Sequence, residues 1–167
     1  LQLGRCHIEV DSLDGARKTL EQTERHIASH HLELYRPHLL DLLGMVHLKD
    51  GAYTRAIELL EQAVSLAASR ANVEIAATAS AHLTFAHLIL GETEKAAQYA
   101  RLTMTRAEYV GQTSPMLLAM TLGVLIARIQ RDQDTLSGLI RRLKVLRENA
   151  YEHELNLPNK LVALARW

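Results

Sequence analysis

Written in rows of forty, the chain repeats itself. Leu3-Gly4 with His7 returns as Leu43-Gly44 with His47, and again as Leu83-Thr84 with His87. Ala16, Ala56 and Ala96 fall in one downstream column, and Leu20, Leu60 and Ala100 in another. Asp11, Gly51 and Gly91 share the place where a turn is expected. A fourth unit, with Leu122-Gly123 and Ile126, follows with a one-residue slip and a turn around 131–134. A fixed period of this length belongs to arrays whose unit leaves an apolar face for its neighbour to cover.

The unit reads as helical. In 52–68, Ala56, Leu59, Leu60, Ala63, Val64, Leu66 and Ala67 recur at three- and four-residue steps, opposite Arg55, Glu58, Glu61 and Gln62. The same pattern predicts helices over 12–30, 37–49, 72–90, 92–110, 114–131, 133–150 and 157–167, and a helical pattern already runs at Leu1. Gly51 and Gly91 suit left-handed C-caps. Ser12 and Ser114 suit N-caps, with Pro115 and Pro158 at first helical positions, and Asp132 and Asp134 suit capping of the next helix. No segment alternates with period two, and aromatic residues are only 4%, so the expected fold class is all-α. The glycine column lets one helix of each pair approach the other closely, giving antiparallel hairpins that stack.

Those columns resemble the tetratricopeptide repeat. In LLGMVHLKDGAYTRAIELLEQA, the family pattern is met by Leu40, Leu43, Gly44, His47, Gly51, Tyr53, Ala56, Leu60 and Ala63, with departures at Leu40 and His47, where aromatics are favoured. The period of forty exceeds the common thirty-four, and the usual closing proline is missing at Ala68. Long repeats of this kind are similar to those of bacterial signalling ATPases, maltose-regulator-type transcription activators and adaptor scaffolds. The resemblance implies a right-handed α-solenoid, one array over 1–167 with repeats at 1–31, 32–71, 72–111 and 112–151 and a further one starting at 152–167. Without an initiator Met, it reads as a fragment of a longer protein.

Composition narrows the function classes. Lys plus Arg and Asp plus Glu both number 19, so bulk charge favours neither nucleic acid nor an anionic membrane. One cysteine excludes a disulfide framework and fits a reducing compartment; Cys6 is expected as a small buried helix residue. No signal peptide is apparent, and the apolar run from Met116 to Ala127 is too short to span a bilayer. A cytoplasmic protein is the expectation.

Chemistry finds little purchase. His7, His47 and His87 lie on successive repeats, about 10 Å apart at ordinary helix spacing, too far to share a metal, and they occupy a packing column. His26, His30 and His31 form a tighter cluster, with two histidines four apart on one helical face. No HExxH pattern is present, and a solvated helix end is the expectation, with metal-dependent enzyme chemistry on this cluster the remote alternative. Cys6 and His7 are adjacent and diverge, so no nucleophile–base pair forms. No enzyme activity, metal or cofactor is expected.

What the resemblance implies instead is protein–protein interaction. Carried over by position, the partner-binding groove comprises Arg5, Met45, Leu48, Lys49, Thr78, Phe85, Ile89, Leu117, Met120, Val124 and Arg128. Its apolar members suit a peptide or amphipathic helix. A carboxylate clamp for acidic C-termini is not expected, because His38, Asp41, Met45, Thr78, Ala81 and Phe85 stand in its places. The alternative is a regulatory or sensor module of a larger transcription regulator or signalling ATPase, whose groove takes an inducer, an inhibitory protein or other domains of its own parent chain.

Overall fold

The computed structural model describes residues 1–149, and the helix expected at 157–167 lies outside them. The described residues are all-α: α1 (Gln2–Glu9), α2 (Leu13–Ser29), α3 (Arg36–Lys49), α4 (Tyr53–Ser69), α5 (Val73–Ile89), α6 (Thr93–Val110), α7 (Thr113–Gln130) and α8 (Gln133–Asn149). A single 3₁₀ turn, Glu33–Tyr35, leads into α3.

The backbone repeats at half the sequence period. Asp11, His31, Gly51, Ala71, Gly91, Gly111 and Arg131 all have positive φ, one every twenty residues. The next residue's N–H then reaches back five positions to a carbonyl: Ser12 to His7, Leu32 to Ile27, Ala52 to His47, Asn72 to Ala67, Glu92 to His87, Gln112 to Ala107 and Asp132 to Ala127, all at 2.8–2.9 Å. Each is the closing bond of a left-handed helix terminus, which satisfies a carbonyl the helix has left without a partner. Gly51 and Gly91 therefore take the cap expected of them, whereas four of these turns bend through residues that carry a Cβ.

Each helix packs on the one before and the one after it. Successive odd helices also touch, α1 with α3, α3 with α5 and α5 with α7, while no pair of even helices makes comparable contact among the described residues. Side-chain pattern follows position. In α3, α5 and α7 buried residues occur almost all round the helix, because neighbours lie on several sides. Their buried Ser80, Thr84 and Thr121 hydroxyls donate to carbonyls four residues back, whereas His47 Nδ1 and His87 Nε2 are buried without a hydrogen-bond partner among the described residues. By contrast, α2, α4 and α6 bury only one stripe, headed by Ala16, Ala56 and Ala96.

Within hairpins, the glycine column meets the leucine column sixteen residues on. A Cβ built on Gly4 falls 2.7 Å from Leu20 Cδ2, on Gly44 2.6 Å from Leu60 Cγ, and on Gly123 3.0 Å from Leu139 Cδ1. The third hairpin has Thr84 and Ala100 at the corresponding places, both buried, with the larger residue now on the odd helix. The slip of the fourth unit is shared by Gly123 and Leu139, so their pairing survives it.

Three local expectations change. α7 starts at Thr113 with Gln112 as N-cap, so Ser114 and Pro115 lie inside its first turn. Ser12 is the N-cap of α2 without a side-chain capping bond, whereas Asn72 caps Ile75 and Asp132 caps Thr135. Cys6 is exposed, because the α1 face covered by α2 runs through Gly4 and Ile8 instead. The apolar run ending at Ala127 also belongs to a longer helix. At 18 residues and mean hydropathy 1.3, α7 has the length and composition to cross a membrane, but 61% of it is buried, against α5, α6 and α8.

Candidate functional site: the row of odd helices

The face shared by α1, α3 and α5 carries polar links from one hairpin to the next. Arg5 on α1 donates from Nη2 to His38 Nε2 on α3, at 3.2 Å. One turn further along α3, Asp41 accepts a hydrogen bond from His82 Nδ1 on α5, at 2.7 Å. Asp41 is only 1% exposed. A buried carboxylate without such a donor is strongly unfavourable, so α3 and α5 are held at a fixed offset. Burial, with the Arg5 guanidinium nearby, pushes the His38 pKa below its ordinary value, in keeping with a neutral ring accepting from Arg5.

The expected groove residues divide into two groups. Arg5, Met45, Thr78, Phe85 and Val124 are half-buried along the odd helices, with Lys49, Ile89 and Arg128 exposed toward their C-terminal ends. Lys49 is already paired with Asp11, in the turn between α1 and α2. Phe85 packs on two core clusters, one shared by Leu60 and Leu83 and one by Leu118 and Leu122.

Leu48, Leu117 and Met120 do not belong with them. Leu117 and Met120 are fully enclosed in a cluster with Ala77 and Ala107, and Leu48 is 8% exposed beside Leu59 and Ala63. The reason is side-chain size on the neighbouring helices. Ala77 and Ala107 leave a recess, and large α7 residues fill it. None of the three is a surface contact.

Asp41 stands at a groove position by the sequence, but its burial and its pairing with His82 are not expected there. Asp41 and His82 are 41 residues apart, one off the repeat period, so column alignment separates them. The available signal was a charged residue inside the apolar α3 pattern, which required a buried partner.

The histidine column behaves as packing. His87 is buried, donates from Nδ1 to Glu92 at 2.6 Å and stacks on Tyr99 at 5.3 Å between ring centroids. This bond, with the Lys95 ammonium, lowers the Glu92 pKa. His7 rests against Gly15, and burial, then Arg17 and Arg55, lowers the His47 pKa. His26 and His30 lie exposed at the end of α2, and no group of three His, Cys, Asp or Glu side chains suited to a metal ion occurs among the described residues.

No protein-family model matches the chain, and no curated protein matches it.

Proposed function

We propose that this chain is a tetratricopeptide-like, right-handed solenoid segment that binds a peptide or amphipathic helix along the row of odd helices. One observation carries the reading. α1, α3, α5 and α7 touch in sequence, and these helices carry the half-buried polar Arg5 and His38 and the half-buried apolar Met45, Phe85 and Val124. Such a strip offers apolar anchors with a polar end, the chemistry by which grooves take amphipathic segments. Binding here needs no catalytic group, and the segment acts as a scaffold in the reducing interior of the cell.

The test is selection of peptides against the chain from an unbiased display library. Their affinities are then compared for Phe85→Glu and for Arg101→Glu, a change on the exposed face of α6. The reading expects Phe85→Glu to weaken binding by about 2 kcal/mol or more and Arg101→Glu to leave it unchanged. The reverse pattern removes the odd-helix row as the docking face.

The regulatory alternative shares this face and differs in the occupant, an inducer or another domain of the same parent protein.

A further inference from the structure

We propose that His26 and His30 form a bidentate site for an imidazole-preferring divalent ion, with Zn²⁺ as the probe. The two residues are four apart at the end of α2, both exposed, with ring centroids 4.1 Å apart and planes tilted by 36°. A second observation bears on the His30 ring. His30 Nδ1 lies 3.1 Å from the His26 carbonyl oxygen and 2.8 Å from Ser29 Oγ. A carbonyl only accepts, so Nδ1 donates to it in the tautomer whose Nε2 keeps its lone pair, the form a metal ion selects. Metal-binding imidazoles are oriented in this manner, with the second ring nitrogen donating to a backbone oxygen.

Neutral imidazole suits Zn²⁺, Ni²⁺ and Cu²⁺ over Mg²⁺ or Ca²⁺. With two protein ligands, the ion completes its tetrahedron with two water molecules. His31 is the left-handed residue of the following turn, at φ 54°, which takes it off the helical face shared by the other two. The site lies on an even helix and stands independently of the proposed docking row.

The test is calorimetric titration of the full chain with Zn²⁺ at neutral pH, with ¹⁵N imidazole shifts to locate the ion. One ion per chain is expected, shifting the His26 and His30 rings. His26→Ala and His30→Ala each weaken binding by about tenfold or more, while His31→Ala leaves it close to wild type and circular dichroism stays unchanged in all three. Undiminished affinity in His26→Ala or His30→Ala overturns the proposal. So does loss in His31→Ala, or a shift confined to other histidines.

Discussion

Leu60 Cγ stands 2.6 Å from the point where a Cβ on Gly44 would sit. α3 and α4 are therefore as close as they are because Gly44 has no side chain. Replacing it with Ala drives a methyl into the branch point of a fully buried leucine. Overpacking of this kind costs about 1–3 kcal/mol, partly offset by the better helix propensity of Ala, about 1 kcal/mol. Chemical denaturation of Gly44→Ala should show net destabilisation. Because Thr84 and Ala100 fill the same places in the third hairpin, Leu60→Ala should cost less in the Gly44→Ala background than alone. Strict additivity of the two changes would contradict the contact.

The twenty-residue turn makes a separate prediction. A Cβ on Gly51 meets nothing within 4 Å, so Gly51→Ala tests backbone conformation alone. It should destabilise by about 1 kcal/mol, the cost of a left-handed residue with a Cβ. Ala71 already bears that cost at φ 54°, and Ala71→Gly should raise the melting temperature. A fall would mean that Ala71 is held by contacts the turn geometry does not require.

The Asp41–His82 bond predicts an asymmetry. His82→Ala strands a carboxylate that is 1% exposed, a loss of about 3–5 kcal/mol when the charge persists. Asp41→Ala removes the charge and leaves only a histidine donor to satisfy, at about 1–3 kcal/mol. Equal losses in denaturant unfolding would argue that water enters the site.

Acid should weaken the fold before the carboxylates titrate. His38 and His47 both have pKa values lowered in the folded state, first by burial. The unfolded chain thus binds protons more readily below about pH 6.5, so stability falls as pH drops through that value toward the folded pKa values. The lowered pKa values of Glu92 and Asp132 act in the same direction, but in the more acidic carboxylate range. Melting temperatures from pH 7.5 to 5.5 should decline, less steeply in His47→Phe. A flat profile in the wild-type chain would contradict buried neutral rings.

Much of this architecture is legible in the amino-acid sequence because packing imposes its period on residue size. Gly4, Gly44 and Gly123 announce the close approaches, and Ala16, Ala56 and Ala96 the shallow stripe they face. The twenty-residue turn is less visible. Its left-handed residue is glycine in only three of the seven places, and Asp11, His31, Ala71 and Arg131 are carried into it by the closing backbone bond. The proposed docking row is legible only in part. Position in a repeat indicates which way Leu117 and Met120 face, but their burial depends on Ala77 and Ala107, which lie on other helices.

The central claim is that partners dock on the odd-helix row. Chemical-shift mapping with the tightest selected peptide tests it most directly, using side-chain signals of Met45, Phe85 and Val124 against those of exposed Leu102 and Val110 on α6. The account predicts shifts at the first three and none at the other two. Shifts at Leu102 and Val110 with Met45, Phe85 and Val124 undisturbed would contradict it.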